Sequence, residues 1–311
     1  MRALFLLAAL LLAVRLPAAA PPAACFDGAR AYTRLKELCA FGPRVPGSEA
    51  ARKSGDWLIA QLRALCDELT VLPFPVKVRA AHPLAQRKPA LARSGLTMRN
   101  IVCRFRPAAK RRLLLMAHWD CRPFADMERD KTLRQRPVPG ANDAGSGVAV
   151  LLELARCLKM KAPAMGVDIV LVDGEDFGPQ GHLEEYFLGS RAYAASLAAP
   201  LPEAGVLLDM VGDRDLRIPW EPYSRQAAPE LMERVWSLAE GLGYGQVFVN
   251  EPGPAVQDDH LQLIRRGVPM IDLIDFDYPR WHTTRDTPEA CSAASLEAVG
   301  RVVEALIREG W

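Results

Sequence analysis

Residues whose side chains can bind a metal follow directly after apolar runs at several places in this sequence. The apolar run 113–117 is followed by a His-Trp-Asp triplet, and the run 169–172 is followed by an Asp-Gly-Glu-Asp quartet. The candidates of this kind are His118, Asp120, Asp143, Glu175, Asp176, Asp209 and His282. Imidazole nitrogens and carboxylate oxygens are ligands that Zn²⁺ accepts. The sequence therefore predicts a metal site that draws on this set.

The periodicity of apolar residues predicts the elements that carry these side chains. Short apolar or β-branched runs predict strands at 69–78, 99–105, 112–118, 167–172, 205–210 and 269–274. Helical spacing predicts helices at 29–39, 49–66, 144–160, 188–197, 228–241, 258–267 and 293–309. Alternating strands and helices favour an α/β fold, a three-layer sandwich in which helices flank a mostly parallel, mixed central sheet. Since the carboxyl ends of parallel strands open into one crevice, we expect the candidate ligands to meet there.

Two polar segments and the N-terminus fall outside this alternation. Segments 80–98 and 121–142 are predicted to be long surface loops. Arg2, the apolar run 3–14 and the small residues after it form a pattern typical of a secretory signal, and the run is too short to span a bilayer. We expect residues 1–24 to be an export signal and residues 25–311 to form a single catalytic domain, periplasmic or secreted. Cleavage just before Cys25 would allow a lipid anchor at that residue.

Composition narrows the class of protein further. The 39 Lys and Arg residues nearly balance the 37 Asp and Glu residues, so no large positive field is expected to hold nucleic acid. Half of the residues are apolar, which is enough for a sizeable core and excludes a disordered chain. The seven cysteines include no C-x-x-C pair. Export would permit disulfides, but the favoured interpretation is that most cysteines are small buried apolar side chains. Nothing in the sequence predicts the oligomeric state.

The ordered motifs resemble those of the M28 zinc-peptidase superfamily, and their details resemble bacterial-type glutaminyl-peptide cyclotransferases, also called glutaminyl cyclases. The shared motifs are His118-x-Asp120, the glycine-rich segment 140–147, Asp173-Gly-Glu-Asp176, Leu208-Asp209 and Trp281-His282-Thr283. The details that favour the cyclases are Gly-Pro-Arg-Val-Pro-Gly-Ser at 42–48, Arg-Pro-Phe at 122–124, Asp-Asp-His at 258–260 and the Trp before His282. Aminopeptidases of the superfamily more commonly have Ser-Asp-His and Tyr-His at the last two places.

The resemblance implies a role for each matched position. The ligands of one zinc ion per chain would be Asp143, Asp176 and His282. Glu175 would be the general acid and base, Asp209 and Asp258 would form a hydrogen-bonded acidic relay beside it, and Trp281 would form a wall of the substrate pocket. The expected reaction converts the N-terminal glutamine of a peptide or protein into pyroglutamate and releases ammonia. Asp272 departs from the animal enzymes, which have His there, so the acidic network is expected to be wired differently.

A dinuclear M28 aminopeptidase is the alternative that the same residues allow. Two metal ions would then be held by His118, Asp143, Asp176, Asp209 and His282, and Glu175 would activate a water molecule to hydrolyse the N-terminal peptide bond. His118 and Asp120 are therefore possible ligands of a second metal, or residues that support the first. A catalytically silent binding module would be expected to have lost the base or a ligand, and this sequence retains them all.

Overall fold

The computed structural model describes residues 25–310, so the export signal predicted at 1–24 lies outside the described residues. The helices are α1 (Gly28–Cys39), α2 (Glu49–Arg63), α3 (Pro83–Arg87), α4 (Ala90–Ser94), α5 (Gly147–Met160), α6 (Leu188–Ser196), α7 (Pro222–Ala227), α8 (Pro229–Gly241), α9 (His260–Arg266) and α10 (Ala293–Glu309). The strands are β1 (Glu68–Val76), β2 (Leu96–Phe105), β3 (Arg112–His118), β4 (Gly166–Val172), β5 (Ala204–Asp209), β6 (Ile218–Trp220), β7 (Phe248–Pro252) and β8 (Met270–Ile274).

A six-stranded sheet with the order β1-β2-β4-β3-β5-β8 forms the centre of the fold. The strands β4, β3, β5 and β8 are parallel neighbours, whereas β2 pairs antiparallel with both β1 and β4. The carboxyl ends of the four parallel strands therefore point to the same edge. This arrangement confirms the mixed, mostly parallel sheet that the sequence predicts.

Helices cover both faces of the sheet, as the alternating side chains of β3 illustrate. Leu113 and Leu115 pack in a cluster with α1, α5 and α10, whereas Leu114 and Met116 pack in a second cluster with α6 and α9. Every residue of β3 is buried. A strand that is covered on both faces is apolar along its length instead of alternating between apolar and polar residues. For this reason residues 113–117 of β3 form an uninterrupted apolar run. The three-layer sandwich is thereby confirmed.

The predicted elements match the structure best where the apolar pattern is continuous. The bounds of β3 and α10 are those predicted, and the other predicted strands and helices differ by a few residues at their ends. The prediction of a surface loop at 80–98 is wrong, because this segment contains α3 and α4 and the first residues of β2. Its Pro, Arg and Lys content obscured a short helix that begins with Pro83 and is capped by the ring of His82. The small parallel pair of β6 and β7 was also not predicted.

The cysteines differ from the favoured interpretation at one pair. Cys25 and Cys157 form a disulfide, while Cys103, Cys121 and Cys291 are free and buried as expected. A sulfur atom in a disulfide cannot also carry a lipid thioether, so this bond is incompatible with a lipid anchor at Cys25. None of the helices between residues 25 and 310 is long and apolar enough to cross a membrane.

Close packing at the start of α5 gives a first prediction. A Cβ added to Gly147 would collide with the carbonyl oxygen of Leu208 and lie 3.1 Å from the Ala117 Cβ atom. Because backbone and core cannot yield easily here, Gly147→Ala is expected to lower the free energy of unfolding by about 1–3 kcal/mol, measured by urea denaturation. The control is Gly241→Ala at the end of α8, where an added Cβ meets nothing within 4 Å. Equal losses of stability in the two variants would contradict this packing.

Candidate active site and metal centre

The sheet edge formed by the carboxyl ends of the parallel strands opens into a cavity of about 290 Å³. His118 and Asp209 end β3 and β5, and the Glu175-Asp176 pair lies in the turn after β4. Asp143 lies in an irregular π-helical turn before α5, and His282 lies in the loop after β8. The predicted residues that line the cavity are Asp143, Glu175, Asp176, Asp209, Asp258, Trp281 and His282.

Asp143, Asp176 and His282 form one compact group of potential metal ligands. The Nε2 atom of His282 lies 3.3 Å from Asp176 Oδ2 and 3.6 Å from Asp143 Oδ2. All three residues are buried. Two carboxylates held this close in a dry environment are stabilised by a positive charge between them.

His118, Asp143 and Asp209 form a second compact group that shares Asp143 with the first. The Nε2 atom of His118 lies 3.1 Å from Asp143 Oδ1 and 3.4 Å from Asp209 Oδ1. Asp120 stands behind this group, with its Oδ1 atom 3.3 Å from His118 Nδ1, so it orients the imidazole and does not face the cavity. Both side-chain oxygens of Asp120 also accept the backbone N–H groups of Glu175 and Asp176, at 3.1 and 3.3 Å.

Several buried atoms that face the interior of these groups lie close to one another, at 3.1–3.4 Å, but none of these contacts has the geometry of a hydrogen bond. They are His118 Nε2, Asp176 Oδ2 and Asp209 Oδ1. Buried polar atoms are seldom left without a partner, and a metal ion is what nitrogen and carboxylate donors in this arrangement would bind. The described residues therefore fit a metal of the zinc class. Because the two groups share Asp143, the arrangement accommodates one ion or two.

Arg122 and Asp126 hold the first group in place, and sequence reasoning assigned neither of them a role. Arg122 donates from Nη1 to Asp176 Oδ1 at 2.6 Å and from Nη2 to Asp126 Oδ2 at 2.5 Å. Asp126 Oδ1 in turn lies 3.5 Å from His282 Nδ1. Although burial opposes ionisation, His282 and Arg122 hold the pKa of Asp126 well below its usual value. In the sequence, the Arg-Pro-Phe motif at 122–124 was the only signal that pointed to Arg122, and it did not indicate this role.

Asp286 fixes the turn that carries Asp143 and was also missed. Its carboxylate accepts the backbone N–H groups of Asn142 at 2.8 Å and Asp143 at 3.2 Å, together with the hydroxyl of Tyr278 at 2.8 Å. Burial, reinforced by the negative charge of Asp143, raises the pKa of Asp286 to about 7. The separation of 143 positions between Asp143 and Asp286 explains why no local pattern could reveal this contact.

Glu175 lies in an acidic environment that favours its protonated form. Burial raises its pKa well above the usual value, and the negative charges of Asp176 and Asp258 add to this effect, while His118 opposes it. Burial also raises the pKa of Asp209 to about 6, and burial together with Asp209 raises that of Asp258 to about 7. Asp209 and Asp258 can therefore take up and release protons near neutral pH.

Asp272 lies behind this acidic cluster in strand β8 and is fully buried. Its Oδ2 atom lies 3.6 Å from His260 Nδ1, and His260 Nε2 lies 3.4 Å from Glu221 Oε2. Burial and the charge of Asp258 raise the pKa of Asp272 well above its usual value. The imidazole of His260, at the start of α9, thus lies between the buried carboxylates of Asp272 and Glu221. The sequence did not single out Glu221.

Trp281 combines two contacts at the mouth of the site. It lines the cavity, and its ring stacks on the ring of His282 with 3.9 Å between the centroids and 27° between the planes. The ring of Phe276 also packs against the indole, with 5.1 Å between the ring centroids. The indole therefore forms one wall of the cavity and restrains the orientation of His282, a potential metal ligand.

The contacts of Arg122 give a second prediction. Arg122→Met removes the charge that holds Asp176 and Asp126, so the affinity for Zn²⁺ is expected to fall about 10–100-fold. The measurement is competition for Zn²⁺ with a chelator of known affinity. Arg214→Met is the control, because Arg214 is exposed and donates to the carbonyl oxygen of Glu289 away from the cavity. Unchanged affinity in the Arg122 variant would show that Asp176 does not need this support.

The family comparison covers most of the described sheet. Residues 100–307 match the model of peptidase family M28. The matched range begins in β2 and ends in α10, so it contains each of the potential metal ligands described above.

Several relatives and solved structures are similar to this chain over most of its length. A glutaminyl-peptide cyclotransferase from Bos taurus is 26% identical over 253 residues, which are 68% of this chain and 65% of the bovine protein. The chain thus spans just under two thirds of the length of that relative. A glutaminyl cyclase structure from Tannerella forsythia has 36% identity and a TM-score of 0.84, covering 93% of this chain and all of that chain. A leucine aminopeptidase precursor structure from Bacteroides thetaiotaomicron VPI-5482 has 34% identity and a TM-score of 0.85. The match covers 92% of this chain and 98% of that chain.

Proposed function

Because this chain belongs to peptidase family M28, we propose that it is a zinc-dependent glutaminyl-peptide cyclotransferase. Its substrates are peptides or proteins that begin with glutamine. Its products are the chain with an N-terminal pyroglutamate and ammonia. The similarity to the glutaminyl cyclases of Tannerella forsythia and Bos taurus supports this assignment over the aminopeptidase activity of other family members.

The observation that carries the proposal is the combination of one buried base and one aromatic wall in a small cavity. Glu175 and Trp281 both line the cavity of about 290 Å³. That volume suits a single glutaminyl residue bent back on itself. Holding this bent form is most of the task, since the reacting amine and amide belong to the same residue.

The zinc ligands in this proposal are Asp143, Asp176 and His282. When bound there, zinc supplies a Lewis acid that polarises the γ-carbonyl group of the substrate. The chain itself provides the geometry: Arg122 and Asp126 orient Asp176 and His282 through the contacts described above.

Glu175 moves the proton that cyclisation requires. The α-amine nitrogen attacks the side-chain amide carbon, and Glu175 accepts a proton from that nitrogen at a carboxylate oxygen. The same carboxyl group then gives the proton to the departing amide nitrogen, whose bond to carbon breaks to release ammonia. Asp209 and Asp258 assist as an acidic relay: the negative charge of Asp258 helps to keep the proton affinity of Glu175 high, and that of Asp209 raises the pKa of Asp258 in turn.

A dinuclear aminopeptidase is the second candidate, and a specific observation favours it. His118 and Asp209 complete a second group of potential ligands around Asp143, with unpartnered atoms facing inward. In that case His118, Asp143 and Asp209 would hold a second metal ion, and Glu175 would take a proton from water instead of from an amine.

We also propose that residues 25–311 act as one catalytic domain after removal of an export signal at 1–24. The disulfide between Cys25 and Cys157 supports an oxidising location, periplasmic or secreted, because such bonds persist mainly outside the cytosol.

Replacement of the base tests the proposed reaction. Glu175→Gln keeps the size of the side chain but cannot carry the proton, so kcat for ammonia release from a Gln-initiated peptide is expected to fall about 10²–10⁴-fold. The matched control is Glu233→Gln on the exposed face of α8, with wild-type activity expected. Release of free alanine from an Ala-initiated peptide by the wild-type enzyme, without ammonia from the Gln peptide, would overturn the proposal.

Metal content separates the two candidate functions. The cyclase proposal predicts one zinc ion per purified chain at full activity, measured by elemental analysis together with the rate of pyroglutamate formation. Asp176→Ala is expected to lose that ion because it removes a ligand of the proposed site. Two ions per active chain, both needed for turnover, would support the aminopeptidase instead.

A further inference from the structure

His82 lies in the segment 80–98, which no sequence motif connects to the metal site. Its side chain is completely buried, at the N-terminus of α3. The Nδ1 atom accepts the backbone N–H of Leu84 at 3.1 Å. A neutral imidazole has one donor and one acceptor nitrogen, so the proton is on Nε2. Burial lowers the pKa of His82, which favours this neutral form.

The proton on Nε2 is directed at the backbone next to the metal site. The Nε2 atom lies 3.1 Å from the carbonyl oxygen of Phe177, and the imidazole stacks on the Phe177 ring with 4.5 Å between centroids and 10° between planes. Phe177 is itself buried. His82 therefore holds both the backbone and the side chain of this one residue.

Phe177 matters because it directly follows Asp176. The N-terminal side of this short segment is held by Asp120, which accepts the backbone N–H groups of Glu175 and Asp176. On the other side, the carbonyl oxygen of Gly178 accepts a hydrogen bond from Arg122 Nη1 at 3.2 Å. The Phe177 carbonyl lies between these two supports, and His82 is the side chain that fixes it.

We propose that His82 is a positioning residue for the metal ligand Asp176, acting through its Nε2–H hydrogen bond to the Phe177 carbonyl oxygen. The bond sets the orientation of the Phe177–Gly178 peptide, and the ring stack holds Phe177 itself, so the backbone next to Asp176 cannot turn and its carboxylate is aimed toward His282. The inference rests on the metal site of the proposed function but is independent of which reaction that site performs.

Two conservative variants separate this role from a general structural one. In His82→Gln, the side-chain amide nitrogen can occupy the place of Nε2 and keep the bond to Phe177, while the cap on Leu84 is lost. In His82→Asn, the amide oxygen can occupy the place of Nδ1 and keep the cap, while the bond to Phe177 is lost. His182→Asn is the control, because His182 is half-exposed in the neighbouring loop and its imidazole pairs with the carboxylate of Glu184 instead of with Phe177.

The main measurement is the affinity for Zn²⁺ by chelator competition, with the melting temperature of each metal-free variant recorded beside it. We expect His82→Asn to bind Zn²⁺ about 10–100-fold more weakly and His82→Gln to bind nearly as tightly as the wild type and the His182 control. Equal losses of affinity in both His82 variants, in proportion to their melting temperatures, would overturn the proposal. So would wild-type affinity in His82→Asn.

Activity at saturating Zn²⁺ distinguishes this inference from the proposed function. A wild-type protein that binds Zn²⁺ but forms no pyroglutamate refutes the cyclase, and the affinities of the His82 variants still decide the role of His82. If the wild type forms pyroglutamate, added Zn²⁺ is expected to restore much of the activity of His82→Asn. Rescue of this kind supports a positioning role, and failure of rescue with normal affinity contradicts it.

Discussion

The accumulation of buried carboxylates at one edge of the sheet is the constraint on which the rest of the structure depends. Asp143, Glu175, Asp176, Asp209 and Asp258 all line one cavity and are nearly inaccessible to water. Ionised carboxylates at this depth repel one another and lose their hydration. Protonation of some and a bound cation for the others are the two ways to relieve that repulsion. The raised pKa values favour protonation of Glu175 and Asp258, and the unpartnered inward-facing atoms are placed where a cation could bind in the same cavity.

Holding such a cluster in a fixed geometry requires supports from several elements. Asp120, Arg122 and Asp286 each contact the backbone or the carboxylate of a potential ligand. None of the three belongs to a group of potential metal ligands, but each limits how the ligand side chains can turn. The precision of a metal site depends on such residues as much as on the ligands themselves. The sheet supplies a rigid base, because the strands that end at the cavity are buried on both faces.

The same geometry explains why one family contains both cyclases and aminopeptidases. A carboxylate base beside a metal can accept a proton from an amine or from water, so the base alone does not define the reaction. What differs is the space around it and the number of metal ions. In this chain, Trp281 closes one side of the cavity and packs on His282, an arrangement that suits the compact, bent substrate of the proposed cyclisation. The second group around His118 leaves room for a second ion, so metal content is the decisive property.

The sequence by itself determined the sheet, most of its helices and the types of residue at the site. It could do so because strand and helix periodicity are local, and because polar residues that follow buried strands must meet at one edge. Only the tertiary structure decided which residues support the ligands, since Arg122 reaches Asp176 across 54 positions of the chain and Asp286 reaches Asp143 across 143. The contact of His82 with Phe177, the neighbour of Asp176, likewise spans 95 positions. Contacts between distant segments leave no periodic signal. For the same reason the disulfide of Cys25 appeared only in three dimensions, whereas the short helix after His82 was missed because of its local Pro, Arg and Lys content.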